Sequence, residues 1–115
     1  MRHKALRLKK NTEFKTVLSK GAYCADNRLV LYALPNARGE NYFGVSVGKK
    51  LGKSVKRNRV KRLIREAVRA QAALLRPGHD IVILARPGAA GEPFVKIERS
   101  LTKLLHRSGL YKTDE

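Results

Sequence analysis

The sequence predicts one mixed α/β layer domain of the α+β sandwich kind, with elements in the order α-β-β-α-β-α, and three observations predict it. Short apolar stretches with strand character recur as RLVLYAL, YFGVSV and DIVILAR. Segments with apolar residues at helical spacing lie before, between and after them. The 115 residues are enough for one domain and too few for two. Hydrophobic residues make up 43%, enough for one modest core, so the chain is not a disordered basic tail.

The elements follow in order. Asn11 or Thr12 can cap a first helix, with Glu13 in its first turn and Phe14, Val17 and Leu18 as its apolar stripe. Gly21 ends it. Arg28 to Leu34 reads as a strand in which Val30 and Tyr32 point one way and Leu29, Leu31 and Ala33 the other. Pro35 to Gly39 is a turn. The second strand, Tyr42 to Val47, sets Val45 and Val47 on one face and Ser46 on the other. A long helix is expected from about Ser54 to Leu75, stopped by Pro77-Gly78. A third strand covers Asp80 to Arg86, and Pro87 to Pro93 is a loop. A last helix runs from about Pro93 to Arg107, with Val95, Ile97, Leu101, Leu104 and Leu105 as its buried side. A basic arm over about residues 1–10 and the end, about 108–115, are expected to be flexible.

The charge narrows the partner. Lys and Arg number 26 against 9 Asp and Glu, a formal net charge of +17 that must repel itself in the folded state. A polyanion relieves that repulsion, and nucleic acid is the usual one. No run of about 18 apolar residues exists to span a membrane, and MRHKALRLKK never develops the apolar stretch of a signal peptide. The single Cys24 cannot pair within the chain, which makes a reducing cytoplasm the expected compartment and Cys24 a small buried hydrophobe.

The charge is concentrated in KRNRVKRLIRE, Lys56 to Glu66. At about 100° per residue, Val60, Leu63, Ile64, Ala67 and Val68 share one side of the helix. Asn58, Arg62, Arg65 and Arg69 fall together on the other, flanked by Arg59 and Lys61. An ordinary solvated face interleaves both signs, but Glu66 is the only acid on this helix. Like charges four residues apart weaken a helix, and an anionic partner offsets that cost. Arginine predominates, and its planar fork grips phosphate through two parallel hydrogen bonds. The face reads as a nucleic-acid contact. DNA is disfavoured, because no helix-turn-helix spacing precedes it.

The approach to this helix, GKKLGKS, looks at first like a phosphate-binding P-loop. That motif needs four residues between its glycines before the Lys-Ser pair, and only three separate Gly48 from Gly52. It reads instead as a basic turn presenting Lys49, Lys50 and Lys53. His3, His79 and His106 have no metal-ligand spacing, and the nine acids are dispersed, so neither a protein-held metal nor a catalytic residue is expected. A second surface could form where Phe14, Leu18 and Tyr32 sit among the cations Lys10, Lys15 and Arg28. Bases of a single strand could stack there if the first helix covers the sheet incompletely. On the residues alone, simple core packing of the three is the favoured reading.

At this point the chain resembles a family. RLKKNTEFKTVLSKG, RLVLYAL, FGVSVGKKLGKSVKRNRVKRLIRE and DIVILAR together resemble the protein subunit of bacterial ribonuclease P along nearly the whole length. Arg57-Asn58-Arg59 followed by VKRLIRE is the signature that carries the match. The resemblance implies a partnership with a catalytic RNA that, with bound Mg²⁺, removes the 5′ leader of precursor tRNA. It implies contact with that RNA through Lys53, Arg57, Asn58, Arg59, Lys61, Arg62, Arg65 and Arg69. It also implies a leader-binding cleft formed by Phe14, Leu18, Tyr32 and Ser46, with Lys10, Lys50 and Arg86 as cationic neighbours, which reverses the core-packing reading. Leu18 stands where many members carry an aromatic, which removes a stacking surface at that position. The family fold has a mixed sheet with a left-handed βαβ crossover through the signature helix, a layout shared with the second domain of a small-subunit ribosomal protein. The alternative is a general basic RNA-binding or ribosome-associated protein with no catalytic RNA partner. It shares the composition but has no reason to prefer RNA bearing a 5′ extension.

Overall fold

The three strands expected from the apolar pattern are present, and two more flank them, in a computed structural model that describes residues 5–112. The elements are β1 (Leu6–Arg7), α1 (Asn11–Lys20), β2 (Ala22–Ala25), β3 (Leu29–Pro35), β4 (Tyr42–Val47), α2 (Ser54–Gln71), β5 (His79–Ala85) and α3 (Phe94–Arg107). They build one five-stranded sheet in the order β1-β4-β5-β3-β2. β1, β4 and β5 run parallel, while β3 and β2 are antiparallel to their neighbours. Parallel neighbours need a crossover rather than a hairpin, and α2 supplies it between β4 and β5.

The sheet's two faces are covered unequally. On one face, Leu29, Leu31, Ile81 and Ile83 are fully buried against Val60 and Ile64 of α2 and Ile97, Leu101 and Leu104 of α3. Each such side chain contributes roughly 1.5–3 kcal/mol by leaving water. The other face carries only α1, whose Val17 packs with Leu8 and Val82 in a smaller cluster. Two helices against one is the asymmetry that leaves sheet surface open.

Several elements depart from the pattern. α2 ends at Gln71 rather than Leu75, and the chain tightens into a 3₁₀ turn over Ala72–Leu74. A similar turn over Pro87–Ala89 opens the loop before α3. Lys10, not Asn11 or Thr12, occupies the cap of α1, and its backbone N–H donates to Glu13 Oε1 at 3.3 Å. Val95 is 51% exposed rather than buried, because it lies about 200° round the helix from Ile97. Cys24 is half-buried, with Sγ 3.2 Å from Ser108 Oγ and 3.4 Å from the Leu104 carbonyl.

Both ends make defined contacts over their described residues. Leu6 and Arg7 pair with Tyr42 and Phe43, and Leu8 is buried. At the far end Leu110 is buried, and its carbonyl accepts from the Arg76 N–H at 2.7 Å. Tyr111 donates its hydroxyl to the buried Gln71 Oε1, whose amide nitrogen donates to Thr102 at 2.8 Å. The remainder of the expected flexible arm and tail, residues 1–4 and 113–115, lies outside the described residues.

Candidate nucleic-acid interface

The basic helix presents its charge as its spacing requires. Asn58, Arg62 and Arg69 are exposed, whereas Arg59, Lys61 and Arg65 are half-buried. Among the described residues, no acidic side chain pairs with any cation of α2. Arg65 is the extreme case. Burial, and then the charge of Arg7 beside it, pulls its guanidinium below the usual arginine range. An anion placed there would reverse that strain.

The turn before α2 is locally determined. Leu51 is buried and pins a 3₁₀ turn over Lys49–Leu51, so that Lys49, Lys50 and Lys53 face solvent. Gly52 follows at φ +142°, a conformation that L side chains rarely adopt. Its carbonyl accepts from Arg57 Nε at 3.0 Å. Arg57 therefore braces the turn as well as carrying charge.

On the α1 side, strand register organises the second surface. Gly44, Val82, Tyr32 and Tyr23 form one row across β4, β5, β3 and β2. Ser46, Leu84, Val30 and Ala25 form the next. Phe14 lies on Gly44 and Val17 is buried with Val82, so α1 covers the first row. In the second row Ser46 is exposed while Leu84 and Val30 are half-buried. Phe14 and Tyr32 are also half-buried, and Leu18 is 37% exposed. Lys50 and Arg86 follow the C-terminal ends of the parallel strands β4 and β5, at one end of this strip. Both are exposed, as is Lys10 beside α1. Arg86 also donates from Nη1 to the Asp26 carbonyl at 3.1 Å, which ties it to the β2–β3 turn.

Two members of this surface are missing from the sequence reading. Tyr23 is 66% exposed and stacks on Tyr32 with ring centroids 5.6 Å apart, extending the aromatic surface toward the sheet edge. It sits on β2, whose four residues AYCA carry no signal strong enough to register as a strand. Leu84 joins the strip only through its pairing with Ser46, a long-range fact. Arg38, in the turn after β3, is committed within the fold. It bridges Asp80 at 2.8 Å and Glu13 at 3.4 Å, and its guanidinium carbon sits 3.6 Å from the centre of the Tyr42 ring.

Among the described residues, no group of His, Cys, Asp and Glu is placed to hold a metal, and no helix is long and apolar enough to cross a membrane. A lopsided α/β layer, with an arginine helix that has no acidic partner among the described residues on one face and a half-open aromatic strip on the other, defines a small basic RNA-binding protein. The ribonuclease P family model matches residues 2–109. The ribonuclease P protein component of Caldanaerobacter subterraneus is 45% identical over 115 residues, covering 100% of this chain and 99% of that one. That of Clostridium kluyveri is 44% identical over 108 residues, covering 92% and 96%. The Staphylococcus aureus RNase P protein superposes with a TM-score of 0.86 at 34% identity, covering 95% of this chain and 100% of that one. The chain belongs to the ribonuclease P protein family: it is the protein subunit of an RNA-based endoribonuclease and works with an RNA partner. The reading as a general RNA-binding protein without a catalytic RNA is not favoured by these matches.

Proposed function

We propose that the two surfaces divide the labour of precursor tRNA processing. The exposed face of α2, with Lys53, Arg57, Asn58, Arg59, Lys61, Arg62, Arg65 and Arg69, lies against the phosphates of the catalytic RNA. The strip of Ser46, Leu84 and Val30, bordered by Phe14, Leu18, Tyr32 and Tyr23, takes the single-stranded 5′ leader. Lys10, Lys50 and Arg86 follow the leader backbone. The observation that carries this reading is the row Ser46–Leu84–Val30, left only partly covered because one short helix serves that whole face.

The protein's part is then positional and electrostatic. Mature tRNA has no leader, so leader contacts add affinity for the precursor that the product lacks. That favours turnover without touching the hydrolysis, which belongs to the RNA and the Mg²⁺ it holds. Each phosphate neutralised by α2 releases counterions, so holoenzyme assembly should weaken with salt by a log–log slope of about −0.7 to −0.9 per contact. The setting for this work is the cytoplasm, where precursor tRNA is processed.

The deciding experiment measures cleavage of a precursor tRNA at low Mg²⁺ by catalytic RNA alone, by the protein alone, and by the two together. Cleavage at the mature 5′ end by the pair, with none by the protein alone, is expected. A protein that neither stimulates the RNA nor binds precursor better than mature tRNA would overturn the proposal.

A further inference from the structure

A cleft of about 410 Å³ opens at the β1 edge of the sheet, between α1 and α2, sharing Arg65 and Arg69 with the basic face of α2 and Phe14 with the aromatic strip. Arg7, Arg65 and Arg69 line it, and Phe14, Phe43 and Val45 form its apolar wall. Its volume is within the range of small-ligand sites, roughly 300–1,000 Å³. Three features make it more than a gap between side chains. First, Arg7 and Arg65 lie close enough to repel, and no acid pairs with any of the three arginines among the described residues. Converging guanidinium groups with no counter-charge are a site for an anion. Second, the wall is apolar and partly aromatic, which an isolated phosphate does not need and a base or sugar does. Third, β1 is only two residues long and covers β4 no further than Phe43. The Phe43 carbonyl accepts from Leu8 on that side at 3.0 Å. By strand alternation, the N–H and C=O of Val45 face the same side, beyond the reach of β1. A donor and an acceptor side by side match the edge of a nucleobase.

We infer that this cleft holds a single nucleotide turned out of an RNA strand, its phosphate on Arg7, Arg65 and Arg69 and its base against Phe14, Phe43 and the Val45 backbone. The site rests on the reading that the partner is RNA, and it deepens that reading in two ways. It makes Arg65 and Arg69 bind one nucleotide rather than only a row of phosphates. It also joins the two surfaces, because Phe14 faces the cleft as well as the leader strip.

The test uses the full chain at low chloride, without catalytic RNA. The protein is titrated separately with a nucleoside 5′-monophosphate, inorganic phosphate and the free nucleoside. Affinity is read by calorimetry, and position by NMR of the Arg7 and Arg65 side-chain Nε–H groups and the Val45 amide. The monophosphate should bind at least about tenfold more tightly than inorganic phosphate, the size of one stacking contribution, and should move all three signals. Arg7→Gln should weaken the monophosphate several-fold while thermal unfolding stays unchanged. Equal affinity for phosphate and monophosphate would overturn the nucleotide site, as would shifts confined to the exposed Arg62 with Val45 unmoved. A protein that stimulates precursor cleavage yet shows no preference for the monophosphate would overturn the cleft and leave the leader reading standing.

Discussion

The ring of Phe14 fills the space that a side chain on Gly44 would need. A Cβ at that position would overlap the ring, so the glycine in β4 sets how closely α1 approaches the sheet. The height of α1 above the sheet in turn determines how open the neighbouring row, Ser46 and Leu84, remains.

Gly44→Ala should therefore cost about 1–3 kcal/mol of stability through overpacking, with weakened binding of precursor tRNA. Phe14→Ala in the same chain should recover part of the stability loss, since the clash partner is gone. Urea denaturation of the two single variants and the double variant measures this coupling, and strict additivity would show that the two residues do not press on one another.

Tyr23→Ala separates function from folding. The ring is largely exposed and rests on Tyr32, so stability should change by no more than about 1 kcal/mol. If the leader reaches this edge of the sheet, affinity for precursor tRNA should drop by about 1–3 kcal/mol with mature tRNA unaffected. Paired binding measurements on the two RNAs decide it, and an equal loss on both would place Tyr23 outside the leader path.

The arginines of α2 should not behave alike. Arg62→Ala and Arg69→Ala should each lower the salt slope of RNA binding by about 0.7–0.9 with little effect on folding. Arg57→Ala should also cost about 1 kcal/mol of stability, because its Nε holds the Gly52 carbonyl at 3.0 Å. Binding across a range of KCl concentrations, set beside thermal unfolding, distinguishes the two kinds of arginine. Local positive charge should also support Mg²⁺ occupancy in the RNA, so Arg62→Ala and Arg65→Ala should raise the Mg²⁺ requirement for cleavage. Unchanged Mg²⁺ titrations would remove that role.

Acid stability should depend on Asp26. Burial alone raises its pKa, but the N–H groups of Leu29 and Arg28, then Ser100 and Lys103, outweigh burial and bring it from 3.8 to about 2. A carboxylate depressed on folding stabilises the fold fully above its unfolded pKa, and the contribution fades as pH falls from about 3.8 through about 2. The contribution at neutral pH is about 2 kcal/mol. Asp26→Asn should remove it and flatten the dependence of stability on pH across that window, as followed by denaturation at stepped pH.

Tyr111→Phe should cost about 1–3 kcal/mol, because it strips the hydroxyl from the Oε1 of a buried Gln71. It should leave RNA affinity intact. Chemical denaturation checks the first effect and precursor binding the second.

The amino-acid sequence by itself determined the strands at RLVLYAL, YFGVSV and DIVILAR, the two-sided character of α2, and the sign and concentration of the charge. These are local quantities, written in side-chain periods of two and 3.6 and in simple counts. Even there a limit shows at Val95, which is apolar like Ile97 but lies about 200° round the helix from it and is exposed. A common cleft of Phe14, Leu18, Tyr32 and Ser46 is implied by the family resemblance alone and by no periodicity in the chain. Only the tertiary structure decided the rest. β1 and β2 exist because β4 and β3 offer edges to pair with, not because LR or AYCA favour the extended state. Tyr111 is held by Gln71, forty residues away. Leu84 meets Ser46, and Arg7 meets Arg65, through the parallel pairings of β5 and β1 with β4. Pairings between distant segments depend on which edges and faces remain unsatisfied after the local elements form, and that is a property of the assembled sheet rather than of any one stretch of chain.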